Sequence, residues 1–232
     1  MAELDRRYEQ TVGRADEAVI DQGLRSYMLR VYNYMASGVA ITGVVAYAVY
    51  AMSVVTGADG SITGLTAFGN LMYASGFKWI VIFAPLAMVF FLSFKIQSLN
   101  VGTAQALFWL FSALMGASIS SIFLVYAGES IARVFFITAA AFGALSLWGY
   151  TTKKDISGWG SFLFMGLIGI ILASIVNLFI GSTALQFAVS VIGVLVFAGL
   201  TAYDTQQIKE MYDVQDDGTV AGKKAVMGAL RL

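Results

Sequence analysis

Apolar residues along this chain of 232 residues are gathered into six long runs, and nearly all charged residues lie between or outside them. A helix needs about 20 apolar residues to cross a hydrocarbon core of about 30 Å. The pattern therefore predicts an all-α integral membrane protein with six visible transmembrane helices, at residues 33–55, 79–94, 103–126, 131–150, 161–180 and 184–203. The second run is the shortest, and Pro85 inside it is expected to kink the helix because proline lacks the amide donor.

The residues before the first run are polar and mixed in charge, but some apolar positions recur at helical spacing. These positions are Ile20, Leu24, Tyr27, Met28 and Val31. They predict an amphipathic helix, which either lies on the membrane surface or extends the first span. We therefore divide the chain into a cytoplasmic leader with this helix, a six-span transmembrane domain and a cytoplasmic segment, at residues 1–32, 33–204 and 205–232.

Composition and charge support this class and predict an orientation. Hydrophobic residues make up 59% of the chain and charged residues 12%, whereas a soluble domain has about 25% charged residues. With six crossings, twelve of the 14 lysines and arginines fall on one face, and Lys78 and Arg133 lie on the other. The positive-inside rule then places the leader and the inner end of the sixth span in the cytoplasm. Because topology accounts for the basic residues, no nucleic-acid partner is expected.

One acid stands out at the inner end of the sixth run. Asp204 is the first charged residue after Ala184, within Tyr203-Asp204-Thr205-Gln206-Gln207-Ile208. A charged side chain at the bilayer centre costs about 2.5–3.5 kcal/mol on insertion scales, so such a residue indicates a functional site. The alternative is the polar exit of a helix at the membrane surface. An acid near a helix C-terminus opposes the helix dipole, which argues against simple capping if the helix ends there.

The chain contains no cysteine and no histidine. It therefore lacks thiolate chemistry, the Ser-His type of hydrolysis and histidine-based metal sites. An intramembrane aspartyl protease needs two carboxylates that share a proton, and only one is visible. We expect no enzymatic activity, no cofactor and no bound metal. A pH response near neutrality would require a carboxylate that titrates there, and Asp204 is the candidate.

Several of these residues resemble the Bax inhibitor-1 (transmembrane Bax inhibitor motif) family, and the leader resembles its bacterial members. The resemblance extends from about Asp21 to Leu232. It rests on the order of the spans, on Tyr203-Asp204-Thr205-Gln206-Gln207-Ile208, and on Gly23-Leu24-Arg25-Ser26-Tyr27-Met28 followed by Val31-Tyr32-Asn33-Tyr34-Met35. It implies a seven-helix bundle, with six helices around a central one, that leaks calcium in a pH-dependent manner in the bacterial inner membrane. Some bacterial members also bind and restrain a membrane-bound ATP-dependent protease.

The resemblance also implies roles for individual residues. Asp204 matches an aspartate that shares a proton with a second aspartate in the family's last helix. The chain stops at Gly228-Ala229-Leu230-Arg231-Leu232, where that helix would begin, so we expect the seventh helix to be missing. Lys95 corresponds to a basic residue that latches onto the gate aspartate, or alternatively it anchors its span at the headgroups.

Calcium, as the transported ion, takes six to eight oxygen ligands, and one carboxylate supplies at most two. Neighbouring oxygens would therefore have to complete a weak, transient site. The candidate gate or pathway neighbours of Asp204 are Tyr203, Thr205, Gln206, Lys95 and Asn177.

Overall fold

The computed structural model describes the backbone of residues 2–58 and 61–232, and within these ranges the side chains from residue 22 onward. Helices dominate, joined by short turns and one β-hairpin. In chain order, the elements are α1 (Ala2–Ser53), β1 (Val54–Thr56), β2 (Ile62–Leu65), α2 (Ala67–Gly69) with a π-helical turn (Asn70–Ala74), α3 (Phe77–Lys95), α4 (Val101–Ile119), α5 (Ile122–Val125), α6 (Gly128–Thr151), α7 (Trp159–Ile180), α8 (Thr183–Glu210) and α9 (Gly218–Arg231).

The six predicted spans are confirmed in the described part of the chain. Helices α1, α3, α4 with α5, α6, α7 and α8 are each long and apolar enough to cross a membrane. Many of their large apolar side chains are exposed; Leu178 and Phe179, for example, are 86% and 85% exposed. Such surfaces suit contact with lipid, where exposed apolar groups carry no hydration penalty.

The leader helix and the first span form one continuous helix, α1. The leader's apolar face is buried within the protein from Tyr27 onward: Tyr27, Met28 and Val31 are 5%, 3% and 0% exposed. Of the two arrangements that the spacing allows, the described part of the leader therefore shows the helical extension. Ile20 lies outside the residues whose side chains the structure describes.

A small antiparallel hairpin, which the hydrophobic pattern did not predict, follows α1. Strand β1 pairs with β2, and the Ser53 carbonyl accepts a 3.0 Å hydrogen bond from the Thr66 amide at the base of the hairpin. The backbone at Gly69 lies so close to the Ser53 carbonyl that a Cβ would collide with it. Glycine is therefore required at this position between the hairpin and α3.

Two compact units make up the chain: residues 1–131 together with 212–231, and residues 132–211. In the first unit, α1 packs against α4, and hydrogen bonds recur along their contact. The pairs are Gln105 Nε2 with Tyr34 Oη, Trp109 Nε1 with Ser37 Oγ at 3.4 Å, and Thr42 Oγ1 with the Ser112 carbonyl at 2.9 Å. Such interhelical bonds hold helices together in lipid, where no hydrophobic effect drives association.

Helix α9 forms where the resemblance predicts the approach to a final helix, and it packs against α1 and α4 of the first unit. Its buried face consists of Gly222, Ala225, Val226, Gly228 and Ala229. The Lys223 ammonium donates a 2.9 Å hydrogen bond to the Gln97 carbonyl just after α3. Residues 218–231 are thus packed as part of the first unit rather than forming a free segment.

Candidate functional site

The candidate site lies in the second unit, at the C-terminal end of α8. The helix begins after Ser182, whose Oγ accepts a hydrogen bond from the Leu185 amide at 3.3 Å, and it continues past Asp204 to Glu210. Asp204 therefore does not lie in the last turn. Asp204 therefore does not oppose the dipole of α8 appreciably, because the effect of a charge on the helix dipole is confined to the final turn.

One face of α8 next to Asp204 is buried against α6. Thr205 is fully buried, and its Oγ1 donates to the Thr201 carbonyl at 2.8 Å and lies 3.4 Å from Ser146 Oγ. Opposite it, the α6 backbone at Gly149 approaches α8 so closely that a Cβ would be 2.6 Å from the Ala202 carbonyl oxygen. Small residues of this kind permit close helix contact in membranes.

Gln206 joins α8 to the segment between α6 and α7, which we call the α6–α7 connection (residues 152–158). Its Oε1 accepts a hydrogen bond from the Ile156 amide, and its Nε2 donates one to the Lys154 carbonyl, both at 2.9 Å. The side chain is only 6% exposed. A buried carboxamide that is satisfied by backbone groups on both sides holds the connection in place.

Lys209 provides a further contact between α8 and the end of α6. Its ammonium donates a 3.0 Å hydrogen bond to the Tyr150 carbonyl and lies 5.5 Å from the centre of the Tyr150 ring. A cation near the last carbonyls of a helix is favourable because it complements the helix dipole. Thr205, Gln206 and Lys209 therefore attach about one turn of α8 to α6 and to the α6–α7 connection.

Tyr203 borders the beginning of α7. The Tyr203 hydroxyl occupies the space beside Gly160, where a Cβ would lie 2.6 Å from Oη. Tyr203 and Asp204 are each half-buried. At about 100° per residue, Asp204 points in a direction different from that of Thr205 and Gln206. Tyr203, Thr205 and Gln206 therefore lie in the same helical turn as Asp204, with side chains that point in different directions.

Asn177 lies at the opposite end of α8 from Asp204. Its Oδ1 accepts a 3.0 Å hydrogen bond from the Ser182 amide and so closes the turn between α7 and α8. Asp204 follows Ser182 by 22 residues, or about 33 Å of helix. Asn177, a candidate pathway neighbour of Asp204, is therefore separated from it by the length of α8.

The remaining candidate, Lys95, belongs to the first unit. Lys95 is exposed in the last turn of α3. The acidic residues before α9 are used locally: Asp216 pairs with Lys224 at 2.5 Å, and Asp217 Oδ1 accepts from the Val220 amide at 2.7 Å. Among the described side chains, no cluster of three or more potential ligands could hold a metal ion.

Asp155, in the α6–α7 connection, is a carboxylate whose pKa is lowered by hydrogen bonds. Hydrogen bonds from the Ser157 hydroxyl at 2.5 Å and the Ser157 amide at 2.9 Å lower the pKa of this exposed acid below its ordinary value of 3.8. The group therefore stays ionised at neutral pH. Its hydrogen bonds contribute to stability above the ordinary pKa and are lost as the pH falls through the lowered one.

Sequence reasoning identified Asp204 and its neighbours but missed Gly149 and Lys209. The only available signal for Gly149 was a small residue in an apolar run, which is common in membrane helices. Lys209 was counted only as a topological charge. The lysine interacts with a backbone carbonyl and a ring 59 residues away, a pairing that leaves no local pattern.

Comparison with known proteins identifies relatives over nearly the whole chain. A family model described as "Inhibitor of apoptosis-promoting Bax1" matches residues 24–232. The chain is 47% identical to the inner membrane protein YbhL of Escherichia coli K12 over 212 residues, which cover 90% of this chain and 86% of YbhL. It is 45% identical to the uncharacterized protein RP147 of Rickettsia prowazekii, over 91% of this chain and 84% of that protein. An uncharacterized protein of Caulobacter vibrioides is 44% identical over 100% of this chain and 92% of its own.

Proposed function

The chain belongs to the Bax inhibitor-1 family of multi-pass membrane proteins, and from this premise we propose that it is a pH-sensitive calcium leak channel of the bacterial inner membrane. In this proposal, protonation of Asp204 controls the passage of cations. The leader and the C-terminal end of α8 face the cytoplasm, as the distribution of basic residues predicts. Calcium is the transported ion, and it is held only transiently.

The observation that carries the proposal is the half-buried carboxylate of Asp204 inside a membrane-spanning helix that continues beyond it. An ionised carboxylate attracts a cation, and a proton on the same group removes that attraction. The ratio of protonated to ionised carboxylate changes tenfold for each pH unit. A gate that depends on this one group follows cytoplasmic pH only where the carboxylate titrates, so the proposal requires Asp204 to titrate near neutrality.

The oxygens near Asp204 suit a weak path better than a tight site. Thr205 donates its hydroxyl proton to its own helix, and both polar atoms of the Gln206 amide are bonded to the α6–α7 connection. Water and backbone carbonyls would have to supply most of the six to eight oxygens around calcium. Weak coordination favours conduction, because an ion must be able to leave.

Calcium efflux from liposomes tests the proposal. We expect the reconstituted wild-type protein to release calcium faster than protein-free liposomes do, and we expect Asp204→Asn to change that rate. Asp155→Asn is the matched control, since Asp155 is an exposed carboxylate of the same unit, and asparagine keeps the Oδ1 acceptor for both Ser157 bonds, so the α6–α7 connection is preserved. Equal efflux from wild-type and protein-free liposomes would refute the channel.

The alternative function, restraint of a membrane-bound ATP-dependent protease, would act through residues 1–20. The side chains of those residues lie outside the described part of the chain, and this function stays a prediction. Deleting residues 1–20 separates the two functions. Loss of the effect on the protease, with calcium flux unchanged, would support protease restraint.

A further inference from the structure

The side chain of Gln206 bonds only to backbone groups of the α6–α7 connection. The Ile156 amide and the Lys154 carbonyl lie on either side of the exposed Asp155. The Gln206 carboxamide accepts a hydrogen bond from the first and donates one to the second, which is the pattern of a backbone pairing in a β-sheet. Ile156 itself is 3% exposed. Without the carboxamide, a buried amide would lose its partner, and leaving such groups unpaired is unfavourable.

The same turn of α8 has two more points of attachment. Thr205 packs against Ser146 and the Gly149 backbone, and Lys209 bonds to the Tyr150 carbonyl. Three attachments within about one turn leave the helix little freedom to rotate about its axis. Because each residue is offset by about 100° from the next, fixing Thr205 and Gln206 also fixes the direction of Asp204.

We propose that Gln206 is a positioning residue for Asp204: its two hydrogen bonds to the α6–α7 connection fix the rotation of α8 and with it the direction in which the Asp204 side chain leaves the helix. This inference rests on the proposed function in so far as the orientation of Asp204 governs flux. It adds a role for the connection, since displacement of residues 152–158 would be transmitted to α8 through the carboxamide. Gln206 acts only through Asp204 and does not contact the ion.

The next residue along the chain provides a matched control. Gln207 is half-buried, and its Nε2 donates to Glu210 Oε2 at 2.9 Å within the same helix. Its amide therefore does not join α8 to another element through that bond. Gln206→Met and Gln207→Met remove the same chemical group while keeping chain length and flexibility. A difference between the two variants then reports the contact with the connection.

Charged and titratable groups at this end of the unit must be considered in any pH profile. Tyr150 lies on α6, Trp159 begins α7 without adding a charge, and Tyr203, Lys209 and Glu210 lie on α8 itself. The α6–α7 connection carries Lys153, Lys154 and Asp155. Neither methionine variant changes any of these groups, so a shifted profile reflects a change in their arrangement rather than in their number.

Three measurements test the inference, and the first two do not depend on flux. Hydrogen exchange at the Ile156 amide should become about three- to tenfold faster in Gln206→Met, as expected for loss of one hydrogen bond, and stay unchanged in Gln207→Met. The chain has no cysteine, so Asp204→Cys introduces a single thiol. Its rate of maleimide labelling should change at least about threefold when Gln206→Met is added, and not when Gln207→Met is added.

The third measurement is the pH profile of calcium efflux with Asp204 in place. We expect a displaced profile in Gln206→Met and a wild-type profile in Gln207→Met. If Gln206→Met does not fold, Gln206→Asn, one methylene shorter, replaces it in all three measurements.

The possible outcomes separate this inference from the proposed function. Unchanged labelling at position 204, or unchanged exchange at Ile156, would overturn the positioning role whether or not the protein leaks calcium. Faster exchange with a wild-type pH profile would reduce Gln206 to a structural residue. If the wild-type protein does not leak calcium, the proposed function fails, while altered labelling would still establish that Gln206 orients position 204.

Discussion

Gly149 shows how a single residue sets the distance between two helices at the candidate site. A Cβ there would be 2.6 Å from the Ala202 carbonyl oxygen, whereas a Cβ at Gly143 on the same helix would meet nothing within 4 Å. We predict that Gly149→Ala destabilises the protein by about 1–3 kcal/mol through overpacking. Gly143→Ala should change stability by less than about 1 kcal/mol. Thermal unfolding in detergent measures both, and equal effects would contradict the close packing.

The predictability of the candidate site also differs from residue to residue. Asp204 was found because a lone acid in an apolar run is costly, and that cost is visible in the sequence. The role of Gln206 was not visible, since its partners are backbone groups of residues 154 and 156, and any residue type supplies those. A sequence pattern reveals a residue whose type is unusual for its surroundings, such as an acid in an apolar run. It does not reveal a common residue whose role depends on which backbone groups lie beside it in the fold.

The contact between α1 and α4 shows how hydrogen bonds between helices contribute to stability. Thr42 Oγ1 donates to the Ser112 carbonyl on the other helix, whereas Thr201 Oγ1 donates to the Phe197 carbonyl of its own helix. We predict that Thr42→Val lowers stability by about 0.6 kcal/mol, and by at most about 1.7 kcal/mol, as measured for interhelical bonds in membranes. Thr201→Val should have little effect. Unfolding titrations distinguish the two, and a larger loss for Thr201→Val would count against the interhelical bond.

The helices that span the membrane are predictable from the sequence because length and apolar composition alone identify them. Short strands and helix ends are less predictable. The six spans follow from the number of apolar residues needed to cross a bilayer. The hairpin Val54–Thr56 with Ile62–Leu65 is not predicted because its strands are only three and four residues long and the first continues the apolar run of the first span. The sequence predicts a sixth span that ends at Tyr203 and leaves open whether its helix ends there, because the polar residues after Asp204 resemble a helix exit. Contacts of Thr205, Gln206 and Lys209 instead carry the helix to Glu210.

Orientation in the membrane is a property of the whole molecule. The distribution of basic residues predicts that the α6–α7 connection faces the cytoplasm and that the turn before α6 faces outward. Both are exposed: Lys153 lies in the first and Ala127 in the second. Because the chain has no cysteine, Lys153→Cys and Ala127→Cys each supply one thiol. In cells with a permeable outer membrane, an impermeant maleimide should label only Ala127→Cys until the inner membrane is opened. The reverse pattern would invert the topology.

The proposed channel depends on control of the leak by one carboxylate, and the pH profile of calcium efflux tests this control most directly. Efflux from liposomes would be measured between about pH 6 and pH 8 for wild type, Asp204→Asn and Asp155→Asn. The Ser157 hydrogen bonds lower the pKa of Asp155, so that group stays ionised across this range. We predict that efflux depends on pH in wild type and Asp155→Asn and loses that dependence in Asp204→Asn. An Asp204→Asn protein with the wild-type profile would contradict the proposed gate.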